Sequence, residues 1–187
     1  RQIAHTTARI GMAKVDSAAK SIAAINPDVA VTTVRERADA ALLSEFVAGA
    51  DVVLDCCDNF ATRHAVNAAC VKHHKPLVSG AAIRFDGQIA VYDPRDPQSP
   101  CYACIFPPDD HFEETRCATM GVFAPLVGII GTLQAAEALK LLSHAGQPLT
   151  NRLLMLDARS MEWNAMRVSR NAACSVCGGV HAEKHGS

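Results

Sequence analysis

The fold is decided by the segment VVLDCCDN, residues 52–59. Its first three residues are apolar and favour a short strand that is buried on both faces of a parallel sheet. Two aspartates and an asparagine follow at the carboxyl end of that strand, the edge where open α/β sheets bind ligands. A carboxylate there can hold Mg²⁺ beside phosphate groups, and Asn59 can contact a nucleotide or cap the next helix. From these residues alone, a helix cap within an ordinary surface loop is an equally open interpretation.

Helices and strands alternate on both sides of this segment. The helices predicted from the spacing of apolar residues are Lys14–Ile25, Asp39–Ala48, about Asp58–His74 and about Ala124–Ser143. The strands predicted from apolar and β-branched runs are Val29–Val34, Val52–Leu54, Leu77–Ser79, Gln88–Tyr92, Arg152–Leu156 and Trp163–Val168. The intervening proline-rich segment, Asp93–Glu114, is predicted to form a loop. This order indicates an α/β protein with an open sheet and right-handed crossovers.

The last predicted helix is almost wholly apolar in its first half, which indicates burial. Gly128 and Gly131 would let it approach a neighbour closely, and its apolar stretch could equally serve a subunit interface. That stretch, Gly121–Leu133, is shorter than the roughly 20 residues needed to cross a bilayer.

Composition excludes several classes of protein. The chain has 187 residues, 49% of them hydrophobic and 20% charged, which is typical of a globular domain and not of a disordered segment. Its 18 basic and 19 acidic residues give a net charge of −1, so no overall basic surface predicts binding to nucleic acid or to an anionic membrane. The first residues are polar and unlike a signal peptide, and we therefore expect a cytoplasmic location.

Four of the eight cysteines form two C-x-x-C pairs, Cys101/Cys104 and Cys174/Cys177. Two such turns can supply the four sulfurs of a tetrahedral Zn²⁺ site, and four protein ligands leave no open position for catalysis. The alternative is two unrelated pairs of buried or redox-active thiols. We favour structural zinc, because the first pair lies in a proline-rich loop and the second near the end of the chain. For Cys56, Cys57 and Cys70 the expected role is that of a small buried apolar residue.

Three further residues are candidates for handling an activated substrate. Arg1 and Lys14 are cations that could contact phosphate, although each could equally be a solvated surface charge. Cys117 follows Arg116 in a predicted loop, where an adjacent cation would lower the pKa of its thiol and favour a nucleophile. No histidine or asparagine partner for Cys117 is identifiable from the sequence.

Taken in order, these motifs resemble the ThiF/MoeB/HesA family, the bacterial relatives of ubiquitin-activating enzymes. The matching segments are Arg1-Gln2 with Gly11-x-x-Lys14, Leu54–Asn59, Pro76–Gly80, Gly87-Gln88, Cys101-Tyr-x-Cys104, Cys117 with Gly121-Val122, Gly131–Ala135 and Cys174-x-x-Cys177-Gly178. The resemblance spans residues 1–179 as one adenylation domain, with 180–187 as a polar tail. It implies a Rossmann-like open sheet with a zinc knuckle.

The resemblance also implies a reaction. Members bind ATP·Mg²⁺ and a small ubiquitin-like sulfur carrier, ThiS- or MoaD-like, and adenylate the carrier's C-terminal glycine for thiamine or molybdopterin biosynthesis. It implies that Arg1 and Lys14 contact the ATP phosphates and that Asp58 serves the metal and the α-phosphate. Asn59 would bind the nucleotide. It aligns Cys117 with a loop cysteine that some members use in covalent sulfur transfer. It also implies that the four paired cysteines bind zinc. A homodimer is implied as well.

Two departures from the family pattern qualify these expectations. The glycine-rich nucleotide loop belongs to a first βαβ unit that this sequence lacks, so we expect a chain whose upstream segment is missing. Cys57 stands where a threonine is usual in the family, and we expect this difference to have a mild effect. No rhodanese domain follows the knuckle, so a separate sulfurtransferase or cysteine desulfurase would donate sulfur. The alternative function is an inactive, zinc-stabilised module that binds proteins; a nicotinamide-dependent oxidoreductase is disfavoured because no dinucleotide fingerprint is present.

Overall fold

The architecture comes from a computed structural model, which describes residues 2–108 and 121–179. The chain divides into two compact units, residues 1–38 and 39–187. The described helices are a 3₁₀ helix at Thr7–Arg9, α1 at Lys14–Ile25, α2 at Ala40–Gly49, α3 at Phe60–Lys72, α4 at Tyr102–Ile105 and α5 at Ala124–Ser143. The described strands are β1 at Val53–Asp55, β2 at Leu77–Ile83, β3 at Asp86–Tyr92, β4 at Arg152–Asp157 and β5 at Glu162–Arg167.

The first unit is organised around a buried serine on α1. Ser17 is 2% exposed, and its hydroxyl lies 2.8 Å from the His5 ring. Arg9 donates to the Ser17 carbonyl and to the Ser21 hydroxyl. The 3₁₀ helix and α1 are therefore joined by polar contacts, while apolar side chains such as Ile25 are exposed.

A five-stranded sheet in the order β1-β2-β3-β4-β5 forms the centre of the second unit. β1 and β2 are parallel and are joined through α3, whereas the other neighbouring pairs are antiparallel. The sheet is therefore open and mixed, which confirms the predicted fold class. Short connections explain two of these antiparallel pairs, β2–β3 and β4–β5: the two-residue turn at Arg84 and Phe85, for example, can only reverse the chain.

The alternating side chains of β2 divide the core between the two faces of the sheet. Leu77 belongs to a cluster with residues of α2 and α3, including Val66. Val78 belongs to a second cluster with residues of α5, including Leu141. Helices thus cover both faces of the sheet, and the carboxyl end of β1 lies beside the middle of β2, with Asp55 opposite Ser79.

One face of α5 is buried, as its spacing predicts, but the other is not. The buried residues are Leu126, Ile130, Gln134, Glu137, Ala138 and Leu141. Gly128 and Gly131 lie on the exposed face, and a Cβ at either would meet no atom within 4 Å. The close approach occurs instead at the sheet, where a Cβ at Gly87 would lie 2.9 Å from Ile130. Within the described residues α5 is also the one helix whose length and composition could span a membrane, a test that core helices pass too.

Several local predictions are wrong. Val29–Val34 is not a strand: Val29 and Val31 are exposed, and no strand in the described ranges pairs with this segment, although a strand requires a hydrogen-bonded neighbour. β1 is not buried on both faces, because Leu54 is 40% exposed; in the described sheet β1 is the first strand of the order. The predicted loop Asp93–Glu114 contains the short helix α4, which the resemblance to a zinc knuckle did not specify.

Candidate functional sites

The loop between β1 and α3 presents Asp58 at the carboxyl edge of the sheet. Asp58 is exposed, while Asn59 accepts a hydrogen bond from the Thr62 amide at 2.8 Å and so caps α3. Of the two roles predicted for Asn59, the cap is the one visible in this structure. An exposed carboxylate beside a helix N-terminus can hold a divalent cation next to phosphate groups.

A buried ion pair anchors this loop, and it was missed from the sequence. Asp55 is 3% and Arg63 is 7% exposed, and Arg63 Nη1 lies 2.8 Å from Asp55 Oδ2. The Ser79 hydroxyl donates to the same carboxylate oxygen at 3.1 Å. One sequence signal pointed to burial of Arg63: it lies three, four and seven residues before Val66, Asn67 and Cys70, on the buried face of α3.

The two thiols of the loop are poor nucleophiles in this environment. Burial raises the pKa of the Cys57 thiol to about 12, and the Asp55 carboxylate contributes to the rise. Burial also raises the pKa of Cys56, whose thiol lies 3.5 Å from Gln134 Oε1. Cys56 is nevertheless exposed as a residue, so the prediction of a small buried side chain is wrong there; it is right for Cys70, which is 1% exposed.

Four cysteine sulfurs meet at the second site, as the C-x-x-C spacing predicts. The Sγ atoms of Cys101, Cys104, Cys174 and Cys177 all lie within 4.8 Å of one another. Three of the separations are 3.7 Å, 3.9 Å and 3.5 Å, for the pairs 101–174, 101–104 and 104–177. A tetrahedral zinc with Zn–S bonds of about 2.3 Å requires sulfurs about 3.8 Å apart. The sulfurs therefore fit a zinc ion.

The residues around these sulfurs support thiolate ligands. The Asn171 amide donates to Cys104 Sγ at 3.4 Å, and the Asn67 side chain donates to Cys101 Sγ at 3.6 Å. Such donors orient metal-binding thiolates and stabilise their charge.

The Arg170 side chain joins the second C-x-x-C turn to the segment that precedes the first turn. Arg170 donates to the carbonyl of Pro97, at 3.2 Å, and to the carbonyl of Cys177. The Gly178 amide donates to the Cys174 carbonyl at 2.9 Å and closes the second turn. These hydrogen bonds stabilise the second turn and its contact with the segment before the first turn without the help of a metal ion.

Among the remaining candidates, Lys14 lies within the described residues. Lys14 is exposed at the first position of α1, in the first of the two units. Arg1 and Cys117 lie outside the described residues, so their predicted roles stay predictions.

Comparison with known proteins gives a consistent family. A profile described as the ThiF family matches residues 1–176. A molybdopterin-synthase adenylyltransferase from Salmonella typhimurium is 43% identical over 180 residues, which are 95% of this chain and 71% of that protein. A sulfur carrier protein ThiS adenylyltransferase from Escherichia coli is 42% identical over 183 residues, which are 98% of this chain and 72% of that protein.

The fold matches a solved structure as well. A crystal structure of Escherichia coli MccB with ATP superposes with a TM-score of 0.78 at 21% identity. The match covers 95% of this chain and 54–56% of the MccB chains in the related structures, so the chain spans little more than half of that protein. At this identity the likeness supports the fold alone. Because the family profile covers nearly the whole chain and two curated relatives exceed 40% identity over at least 95% of it, the chain belongs to the ThiF family.

Proposed function

We propose that this chain is the adenylating part of a sulfur-carrier adenylyltransferase. The observation that carries the proposal is the exposed Asp58 carboxylate at the carboxyl edge of the sheet, in a chain more than 40% identical to curated adenylyltransferases. The substrates would be ATP and a small ubiquitin-like carrier with a C-terminal glycine. We expect the reaction to take place in the cytoplasm.

In the proposed reaction the carrier's terminal carboxylate attacks the α-phosphorus of ATP. A new bond forms between the carboxylate oxygen and phosphorus, the bond to the bridging oxygen breaks, and pyrophosphate leaves with the electron pair. The products are an acyl-adenylate and pyrophosphate, so no oxidant or reductant is needed. Catalysis of this step rests on positioning and on neutralisation of charge.

The residues available for these tasks are few. Asp58 would hold Mg²⁺ next to the phosphates, because a carboxylate oxygen is a ligand that Mg²⁺ prefers. Arg1 and Lys14 would neutralise phosphate charge, and Asn59 would contact the nucleotide while capping α3. Cys117 would accept sulfur in a later step, with the sulfur supplied by a sulfurtransferase or a cysteine desulfurase. These assignments come from the family resemblance.

Zinc would have a structural role in this proposal. Cys101, Cys104, Cys174 and Cys177 supply four ligands, which leave no open coordination position for a substrate. The zinc would join the start of α4 to the turn after β5, two parts of the chain that are far apart in sequence.

The test is ATP–pyrophosphate exchange with Mg²⁺ and two carriers, one ThiS-like and one MoaD-like. It is run on this chain and on a chain extended upstream, since we propose that an upstream βαβ unit completes the nucleotide site. Asp58→Ala should lower exchange at least about 100-fold, because the Mg²⁺ that would neutralise the phosphate charge loses a protein ligand.

Asp51→Ala is the matched control. Asp51 is also exposed but precedes β1, at the opposite end of the strand, and its replacement should leave exchange unchanged. Full exchange by Asp58→Ala would refute the role of Asp58. If neither chain supports exchange with either carrier, the protein-binding module without catalysis becomes the better assignment. The carrier that supports exchange identifies the pathway, which relatives from both branches leave open.

A further inference from the structure

The ion pair between Asp55 and Arg63 contacts the loop that carries Asp58 at its main chain. The Cys57 amide donates to Asp55 Oδ1 at 3.0 Å, and the Cys57 carbonyl accepts from Arg63 Nη2 at 2.5 Å. Both main-chain polar groups of the residue directly before Asp58 are therefore bonded to the buried pair. On the other side of Asp58, Asn59 is held as the cap of α3.

The same arginine ties this loop to the neighbouring strand. Arg63 Nη1 and Nη2 each donate to the Gly80 carbonyl at 3.1 Å, and Nη1 lies 3.3 Å from the Ser79 hydroxyl. One guanidinium thus joins the end of β1, the loop, α3 and β2. The planar fork of arginine can serve these acceptors at once, whereas the ammonium of lysine is a single point of charge.

Helix α5 holds the network from the opposite face of the sheet. Gln134, which is 3% exposed, donates from Nε2 to the carbonyl of Asp55 at 2.8 Å and to that of Val78 at 3.2 Å. A Cβ at Gly80 would lie 2.4 Å from the Gln134 side chain, so the glutamine fills the space that only glycine leaves there. The end of β1 is consequently bonded on both sides.

Stability alone is a poor explanation for such a pair. A buried ion pair pays a large desolvation cost, and well-packed apolar residues often replace one without loss of stability. What apolar residues cannot do is bond both the amide and the carbonyl of Cys57. The distinctive effect of the pair is therefore the geometry of the loop.

We propose that Arg63 and Asp55 are positioning residues, which hold the Asp58 carboxylate at the carboxyl edge of the sheet where the metal and the phosphates would bind. The catalytic benefit of this positioning rests on the proposed function. The anchoring of the loop by Arg63 does not depend on it. Neither residue contacts the substrate in this scheme, since both are buried beside the loop.

The test is Arg63→Lys, which keeps the charge and removes the fork. We expect amide hydrogen exchange at residues 56–58 to become at least about tenfold faster, because the Cys57 carbonyl and the Asp55 carboxylate lose their shared partner. Exchange in α5 should stay unchanged. In the extended chain, kcat for ATP–pyrophosphate exchange should fall about 10–100-fold, and the KM for the carrier should stay within twofold.

Glu137→Gln is the matched control for a buried carboxylate. Glu137 is 4% exposed, pairs with Lys140 and accepts from the Leu149 amide, away from the loop. It should lower thermal stability without altering amide exchange at 56–58 or kcat. If Arg63→Lys does not fold, Ser79→Ala removes one hydrogen bond to Asp55 and should show the same changes at about two- to threefold.

The outcomes separate the two proposals. If folded Arg63→Lys exchanges its amides at 56–58 at the wild-type rate, the anchoring role is overturned. The same holds for Ser79→Ala when that variant replaces Arg63→Lys. Faster amide exchange with unchanged kcat would overturn its purpose in positioning Asp58. Absence of pyrophosphate exchange in the wild-type extended chain would refute the proposed function instead, and the amide-exchange result would then decide the anchoring role by itself.

Discussion

At the scale of single residues, the second C-x-x-C turn depends on a glycine for its space. A Cβ at Gly178 would lie 2.6 Å from the Cys174 carbonyl and 2.7 Å from the Ala172 carbonyl. Both neighbours are main-chain atoms, which cannot rotate away as a side chain does. The Gly178 amide also closes the turn by donating to Cys174, so any shift of the glycine disturbs a hydrogen bond of the metal site.

Gly178→Ala should therefore destabilise the protein by about 1–3 kcal/mol, the usual cost of overpacking, and should weaken zinc retention. Gly179→Ala is the matched control, because no atom lies within 4 Å of a Cβ built there, and it should change stability by less than about 0.5 kcal/mol. Thermal unfolding and a zinc competition titration measure both effects. Equal stability of the two variants would show that the turn relaxes at no cost.

At the scale of secondary-structure elements, α5 has two faces with different surroundings. Its inner face packs on the sheet, whereas its outer face is exposed and carries small and apolar residues. Leu139 and Leu142 on this outer face are 64% and 50% exposed. Gly128 and Gly131 would allow a second helix to approach the backbone closely. We propose that this face forms the contact of the homodimer that the family resemblance implies, since exposed apolar patches often mark interfaces between subunits.

Leu139→Glu should weaken this dimer at least about tenfold, because it would bury an unpaired charge in an apolar contact. Light scattering across a range of protein concentrations gives the molar mass and the dissociation constant. Ile25→Glu serves as the control: Ile25 is 86% exposed at the end of α1, and its replacement should leave the mass unchanged. An unaltered dimer in Leu139→Glu would place the interface elsewhere, and a monomeric wild type would refute the dimer.

At the scale of the whole molecule, the four cysteines connect distant parts of the chain. Cys101 and Cys104 lie at α4, and Cys174 and Cys177 follow β5, so a metal between them closes a long loop. Metal binding is linked to folding, because the unfolded chain offers no assembled site. The surrounding cluster also includes Val71 of α3, which couples the knuckle to the helix that carries Arg63.

We expect one zinc per chain, and we expect a strong chelator to lower the Tm by at least about 10 °C. Elemental analysis and thermal unfolding with and without chelator measure these quantities. Cys104→Ser should lose the metal, whereas Cys56→Ser, at an exposed cysteine outside the cluster, should retain it. Protein without zinc, with all four thiols open to labelling, would contradict the assignment.

Much of the fold was predictable because its signals are local. The bounds of α1 and α5 follow from the spacing of apolar residues and agree with the structure. Asn59 as a cap and each of the two C-x-x-C pairs follow from residue types at short spacing. The prediction of a strand at Val29–Val34 was wrong because it also relied on a local signal alone. The composition of the segment favours a strand, but a strand needs a hydrogen-bonded partner, which composition does not reveal.

The sequence by itself determined the family, most of the helices and strands, and the residues that fit zinc. Only the tertiary structure decided the mixed order of the sheet, the exposed outer face of α5 and the pairing of Asp55 with Arg63. The physical reason is that these features depend on contacts between segments far apart in the chain. A buried arginine is stable only where several acceptors converge, and folding alone brings Asp55 at the end of β1 beside Ser79 and Gly80 of β2.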